Sequence, residues 1–149
     1  MPDRRLLALG LLLWASVASA TEYRSASSRA AVLYDAPNAS ARKLYVVNQG
    51  YPAEVLITQG DWVKLRDRSG SLAWGQKSEW SSKRTVLVNV AQLDMRSKPE
   101  AAGSVVARVS RDVVLELLPI GKEAQPGWLQ VRHRDGVTGW VRLADVWGA

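Results

Sequence analysis

The side chains best suited to recognition chemistry occur twice, in the same order and at the same spacing. A tryptophan is followed by an arginine after four residues, a glycine after eight and a second tryptophan after twelve: Trp62, Arg66, Gly70 and Trp74, then Trp128, Arg132, Gly136 and Trp140. The indole offers a rigid flat face and one hydrogen-bond donor, and the guanidinium fork matches a carboxylate. The repeated set indicates a duplicated unit that binds a ligand with apolar surface and carboxylate groups.

Two further side chains, Tyr34 and Arg96, join this candidate ligand-binding set. We expect the set to line a shallow groove in each half of the chain: Tyr34, Trp62, Arg66, Trp74, Arg96, Trp128, Arg132 and Trp140. The alternative is that these tryptophans form a second packing layer beneath a loop and that the arginines are solvated strand residues. Trp80 and Trp147, each after a predicted single 3₁₀ turn, are expected to close the ends of the domains or the seam between them.

Catalytic chemistry finds little support in the sequence. The chain has no cysteine and one histidine, His133, which we predict to lie in the middle of a strand, and it has no G-x-S-x-G nucleophile elbow. A metal site built from several cysteines or histidines is therefore excluded. Spacing alone does not exclude a carboxylate pair for glycoside hydrolysis, but small barrels offer no long cleft for a polysaccharide. We expect a non-enzymatic protein with no cofactor and no metal.

The elements that must position these residues are β-strands. Val63 and Leu65 alternate with polar and aromatic residues, so the apolar side chains face a core while Trp62 faces the other way. Residues 67–70 supply turn chemistry before a second strand that carries Trp74. The second half repeats this hairpin, and short β-rich runs separated by Gly, Pro, Asn and Asp precede both copies. The sequence predicts an all-β protein of two small tandem barrels.

Domain boundaries follow from the repeat and from composition. The first barrel is predicted over residues 30–90 and the second over residues 91–149. The stretch 85–91 contains no Gly, Pro or Ser, so we expect a buried strand that closes the first barrel and joins the two barrels rigidly. The Ser- and Ala-rich stretch 21–29 is expected to be a flexible arm.

The first twenty residues resemble an export signal. Arg4 and Arg5 precede an apolar run from Leu6 to Ala18, and small residues end this run at Ala20, which is the order of a secretory signal peptide. A bilayer span needs about 20 apolar residues, so we predict cleavage and no stable membrane span; an uncleaved anchor is the alternative. The formal net charge of +6 favours anionic partners, and export disfavours nucleic acid as a partner.

With these residues in view, the chain resembles the bacterial SH3-like (SH3b) family, in particular its tandem exported members. The likeness covers residues 30–149 and rests on Gly50-Tyr-Pro-Ala-Glu-Val55, Gly60-Asp-Trp-Val-Lys-Leu-Arg66 with Trp74, Lys83-Arg-Thr-Val-Leu-Val88, and Arg96-Ser-Lys-Pro99 with Gly139-Trp-Val141. The first half departs from the pattern at Ala73, where glycine usually precedes tryptophan. The resemblance implies a five-stranded barrel per repeat and a role in binding, often to cell-wall peptide or envelope proteins, but it supplies no ligand.

These inferences lead to one expected function and one alternative. We expect a periplasmic or cell-envelope binding module for peptidoglycan, whose stem peptides carry free carboxylates, or for another envelope polymer. The alternative is a protein–protein adaptor that docks an envelope partner through a sheet edge or the tryptophan groove. A groove shared by both repeats would favour a repeating polymer, whereas asymmetry would favour a single protein partner. The sequence leaves the ligand and the oligomeric state open.

Overall fold

The computed structural model describes residues 20–149, so the predicted export signal, residues 1–20, lies almost entirely outside the described residues. Within residues 20–149 the fold consists of fourteen β-strands and two single 3₁₀ turns, with no α-helix. No helix in this part of the chain has the length and hydropathy that a membrane span requires. The all-β prediction is confirmed.

Each half of the chain contributes seven strands. The first seven are β1 (Glu22–Ala26), β2 (Ala30–Tyr34), β3 (Lys43–Asn48), β4 (Pro52–Gln59), β5 (Trp62–Arg66), β6 (Leu72–Gln76) and β7 (Trp80–Ser81). The second seven are β8 (Thr85–Val88), β9 (Gln92–Arg96), β10 (Val105–Ser110), β11 (Val114–Leu117), β12 (Trp128–Arg132), β13 (Thr138–Arg142) and β14 (Val146–Trp147). A 3₁₀ turn, Lys77–Glu79 or Leu143–Asp145, precedes the last strand of each set, as the sequence predicted.

The two halves form two antiparallel sheets with the same strand order. The order is β3-β2-β6-β5-β4-β1-β7 in the first sheet and β10-β9-β13-β12-β11-β8-β14 in the second. Each strand therefore has its counterpart seven strands later, which confirms the duplicated unit that the tryptophan spacing indicated. We call the two units domain 1 (β1–β7) and domain 2 (β8–β14).

Each domain has its own core, and the central hairpin supplies much of it. Val63 and Leu65 of β5 are buried, whereas Trp62 on the opposite face of the strand is partly exposed. The predicted alternation is therefore present. The hairpin turns are made by Gly70 and Gly136, whose φ angles of 87° and 98° lie in the left-handed region. Glycine reaches this region without the steric penalty that a Cβ atom imposes, so the turns fix the register that places the tryptophans outward.

The prediction of closed five-stranded barrels is wrong in strand count and in closure. Each sheet has seven strands, and β3 and β7 end the strand order of domain 1 without pairing with each other. The predicted flexible arm, residues 21–29, contains β1, which pairs with β4 and β7. Its Ala26 is buried in the same core cluster as Trp80, so small side chains here reflect close packing rather than disorder.

The stretch 85–91 begins with a buried strand, as predicted, but this strand does not close domain 1. β8 pairs with β11 and β14, both in domain 2. The corresponding place beside β4 in domain 1 is already taken by β1. The boundary between the domains therefore lies within residues 82–84 rather than at residue 90.

The two domains contact each other along a seam. The guanidinium of Arg68 in domain 1 donates a hydrogen bond of 3.3 Å to the Val88 carbonyl and forms an ion pair with Asp112, both in domain 2. The rings of Tyr23 and Trp147 meet edge-on across the seam, with centroids 5.5 Å apart. Trp147 thus lies where the sequence placed it, while the rigidity of the connection stays a prediction.

Candidate binding grooves

Trp62 and Trp128 hold equivalent positions in the two domains, because each opens the first strand of the central hairpin. Both side chains are partly exposed. Each lines a groove on the surface, which we call groove 1 around Trp62 and groove 2 around Trp128. The prediction that these two tryptophans point away from the core is confirmed.

Groove 1 has a volume of about 680 Å³ and is lined by Arg24, Asp61, Trp62, Gln76, Lys77 and Ser78. The ring of Tyr34 meets that of Trp62 edge-on, with centroids 5.3 Å apart and an angle of 88°. Tyr34 itself is only 7% exposed, so it supports the indole more than it offers a surface of its own. Groove 1 therefore combines one aromatic ring with two cations and one carboxylate.

Groove 2 has a volume of about 760 Å³ and runs between two loops. Residues 97–100 after β9 form one wall, and Glu123, Gln125 and Pro126 of the long connection before β12 form the other. Trp128 also lines an adjoining hollow of about 500 Å³ beside Leu143. The guanidinium of Arg142 lies 5.5 Å from the centre of the indole ring, which is within cation–π distance.

Arg66 and Arg132, which the sequence placed in the grooves, lie elsewhere. Each arginine ends the strand that its tryptophan begins. The Cα atoms of the arginine and the tryptophan are therefore ~13 Å apart, because a strand rises about 3.3 Å per residue. Arg66 is held by Glu54 of β4, with nitrogen–oxygen distances of 2.7 Å. Arg132 faces Glu116 of β11 at 3.7 Å. The structure does not bring these guanidinium groups to the tryptophans.

The side chains of the remaining predicted site residues, Trp74, Trp140 and Arg96, are buried or in contact with other residues of their own domain. Trp74 is partly exposed, and the Lys64 ammonium lies 5.9 Å from its ring centre. Trp140 is 4% exposed, so almost none of its surface is open to a ligand. Arg96 donates a hydrogen bond of 2.9 Å to the Gly103 carbonyl and lies beside Asp94. The packing alternative describes these positions better than the groove does.

Three cations beside the tryptophans were missed in the sequence. Arg142 is directly opposite Trp128 in the β12–β13 register, and counting outward from the Gly136 turn would have found it. Lys77 follows Gln76, which pairs with Trp62 in the same way. Arg24 carried no such signal, because its strand was assigned to a flexible arm.

His133 lies in the hairpin turn just after β12, and not in the middle of a strand. Its backbone N–H donates to the Val137 carbonyl at 2.8 Å, which closes the turn. Its Nδ1 lies 2.9 Å from Oδ1 of Asp135. A hydrogen bond from the Val137 N–H, and then His133, lower the pKa of Asp135. Among residues 20–149 no three Asp, Glu or His side chains gather as a metal site would require.

The chain is similar to parts of solved structures that are about twice its length. The chain is similar to NlpC1 from Trichomonas vaginalis (18% identity, 94% of this chain and 50% of that chain, TM-score 0.39) and to NlpC2 from the same organism (14%, 87% and 48%, 0.40). It is also similar to an NlpC/P60 family protein from Bacillus cereus (17%, 83% and 55%, 0.37). The chain thus spans about half the length of these structures.

No curated protein matches the chain. The bacterial SH3 domain family matches it twice, over residues 27–81 and 89–148, and these segments fall on domain 1 and domain 2. The chain therefore belongs to the bacterial SH3 domain family and carries two such domains in tandem.

Proposed function

We propose that the protein is an exported, non-catalytic binding module for peptidoglycan or another cell-envelope polymer. The observation that carries the proposal is the matched partial exposure of Trp62 and Trp128 at equivalent hollows: groove 1 in domain 1, and the hollow beside Arg142 and Leu143 in domain 2. Trp80 and Trp140, by contrast, are only 3% and 4% exposed. Family membership and the export-like sequence before residue 21 support the same function.

The chemistry beside both exposed tryptophans suits such a polymer. A tryptophan ring offers a flat apolar face on which a sugar or a peptide side chain can lie. Lys77 and Arg24 in groove 1 and Arg142 in the equivalent hollow of domain 2 offer positive charge for a carboxylate. Groove 2 itself carries Lys98 with Glu100 and Glu123, so the positive charge beside Trp128 comes from Arg142. Because each domain contributes one groove, a repeating polymer can occupy both, and the second contact becomes intramolecular once the first is made.

Co-sedimentation with insoluble peptidoglycan tests this function. The processed chain, residues 21–149, should pellet with the polymer. Trp128→Ala and Trp62→Ala should each weaken binding by about 2 kcal/mol, as truncation of an aromatic anchor typically does, or roughly 30-fold in affinity. The double variant should remain in the supernatant, because both anchors are then absent.

A matched control is Leu72→Ala on β6, which removes exposed apolar surface outside both grooves. It should pellet like the unchanged chain. Equal pelleting of the unchanged chain and the double tryptophan variant would contradict the groove assignment. No pelleting of the unchanged chain would exclude peptidoglycan as the polymer.

The alternative function, an adaptor for an envelope protein, has one observation in its favour. β3 ends the strand order of domain 1, and its Leu44 and Val46 are 38% and 57% exposed. An exposed edge strand can receive a strand from a partner. If pelleting is absent while pull-down returns one folded partner, and Val46→Lys abolishes that capture, the adaptor function replaces the polymer-binding one.

A further inference from the structure

Two arginines at equivalent positions of the two domains, Arg68 and Arg134, lie at the seam between the domains. Arg68 and Arg134 follow the central hairpin strand of their domains and lie sixty-six positions apart, like Trp62 and Trp128. Arg68 reaches across the seam to domain 2. Arg134 lines a groove of about 680 Å³ with residues of domain 1, including Gly50. We call this the seam groove.

The residues that face the two arginines are also equivalent. The Gly50 N–H donates to the carbonyl of Ala26 at the end of β1, at 2.8 Å, and the Asp112 N–H donates to the carbonyl of Val88 at the end of β8, at 3.0 Å. Both have positive φ, 87° and 69°. The two halves of the seam thus follow one plan, with glycine in one half where the other has aspartate.

This single difference leaves the charges unequal. Arg68 is neutralised by the carboxylate of Asp112. Arg134 shares its groove with Gly50, which has no side chain, and forms no ion pair with any residue in 20–149. The role that Asp112 fills for Arg68 is therefore unfilled for Arg134 within the described part of the chain.

Two further cations, Lys83 and Arg132, line the seam groove, and both lie near the single carboxylate of Glu116. Glu116 lies 3.6 Å from Lys83 and 3.7 Å from Arg132, both beyond ordinary hydrogen-bond distances. The equivalent pair in domain 1, Glu54 and Arg66, is at 2.7 Å. With Arg134 the groove has three cations and one carboxylate, apart from His133, which lies beside Asp135.

The floor of the seam groove is fixed by hydrogen bonds that are already made. The Thr85 hydroxyl donates to the Gly50 carbonyl at 2.6 Å, and the Ser25 hydroxyl donates to the Lys83 carbonyl at 2.7 Å. The first contact joins the two domains, and the second ties β1 to the segment that connects them. The groups left to bind a ligand are the cationic side chains around the rim.

We propose that the seam groove binds an oxyanion, a carboxylate or a phosphate group, in the place that the Asp112 carboxylate fills in the other half of the seam. Arg134 supplies the charged fork for it, and Lys83 and Arg132 supply further positive charge. Charge-assisted hydrogen bonds to a guanidinium are the contacts that such a group favours. This site is separate from the tryptophan grooves and goes beyond the proposed function.

The test is a titration of the processed chain with inorganic phosphate and with acetate, followed by backbone amide NMR, with chloride at equal ionic strength as the control. Saturable shifts are expected at the amides of Ser27, Gly50 and Gly136, which line the groove. Arg134→Gln should raise the half-saturating concentration at least about tenfold, because a hydrogen bond to a charged group is lost. Saturation by phosphate alone or by acetate alone identifies which oxyanion the site prefers.

Two exchanges between the halves make the test specific. Gly50→Asp should abolish the shifts, because it supplies the missing carboxylate internally. A Cβ at Gly50 would lie 3.3 Å from Val114, so Gly50→Ala, which adds the same crowding without a carboxylate, is the matched control and should keep the shifts. Asp112→Gly should create a second saturable site at Arg68. Absence of saturable shifts with both anions in the unchanged chain, or unaltered binding by Arg134→Gln, would overturn the proposal. Arg134→Gln should still pellet with peptidoglycan, so failure here is distinct from failure of the tryptophan grooves.

Discussion

Domain 1 and domain 2 share one strand order but fill the core beneath the end of the hairpin differently. In domain 1, Gly75 faces the buried ring of Trp80, and a Cβ atom at Gly75 would lie 2.4 Å from the indole Nε1. In domain 2 the equivalent residues are Val141 and Val146, at 0% and 8% exposure. One domain uses a very large and a very small residue, and the other uses two of medium size.

The departure from the family pattern at Ala73 lies on the same strand as this difference. In domain 2 the glycine of the G-W-V mark, Gly139, is needed because a Cβ there would lie 3.0 Å from Val106 and 3.1 Å from Met95. Domain 1 places its glycine two residues later, at Gly75, opposite Trp80. The two glycines therefore make room for different neighbours: Gly139 for Met95 and Val106, and Gly75 for Trp80 and Leu65.

The largest expected effect comes from exchanging the two solutions. Gly75→Val alone should destabilise domain 1 by about 3 kcal/mol, because overpacking forces the indole or the backbone to move. Trp80→Val alone should cost a similar ~3 kcal/mol through the cavity it leaves. Together they reproduce the pair found in domain 2, so the double variant should recover about 2 kcal/mol of the sum. Urea unfolding measures all three variants.

Val141→Ala in domain 2 is the matched control for this cycle. It removes buried volume with no tryptophan opposite, so its effect should add to that of Trp80→Val without coupling. If Gly75→Val and Trp80→Val are simply additive, the two domains do not conserve core volume in the way their sequences suggest.

The seam gives the second contrast, with a smaller effect. Arg68→Ala removes the ion pair with Asp112 and the hydrogen bond to Val88, and should lower the unfolding free energy by about 1 kcal/mol, since the arginine is partly exposed. If the seam couples the domains, one unfolding transition should become two, visible by calorimetry. Arg134→Ala, its equivalent without an ion pair, should change neither quantity. A single, unshifted transition for Arg68→Ala would contradict a rigid seam.

The sequence predicted the parts of the fold that depend on local chemistry. The period-two pattern around Val63 and Leu65 gave the central hairpin, and Gly70 with its left-handed backbone gave the turn. The sequence-based prediction failed where the position of a strand in the sheet depends on which of several strands pairs with a given neighbour. β1 looked like an arm because Ser25 and Ala26 are small, yet both are buried between β4 and β7.

The candidate grooves show the same limit. The outward direction of Trp62 and Trp128 follows from alternation and was predicted. Which charges lie beside them depends on cross-strand register and on the loops, and this placed Arg142 rather than Arg132 near Trp128. Glu54, which holds Arg66, lies twelve residues away in the chain, and no local pattern links the two.

The smallest expected effect concerns alkaline pH and again separates the domains. All four tyrosines precede residue 52, so domain 2 has none. The Tyr45 hydroxyl donates to Asp67 at 3.1 Å; burial above all, and then the nearby Asp67 charge, raise the pKa of Tyr45 well above its ordinary value of 10.0. Burial is also the main cause that raises the pKa of Tyr51.

The sign follows from proton binding. Above pH 10 the unfolded chain loses these phenolic protons while the folded chain keeps them, so stability is full below that pH and falls as pH rises further. Tyr45→Phe should therefore flatten the fall of the domain 1 urea midpoint between pH 8 and pH 11, measured in the Arg68→Ala background, where the domains should unfold separately. Domain 2 serves as the internal control, because its midpoint includes no tyrosine contribution. An equal fall of both midpoints, untouched by Tyr45→Phe, would place the alkaline sensitivity outside the Tyr45–Asp67 contact.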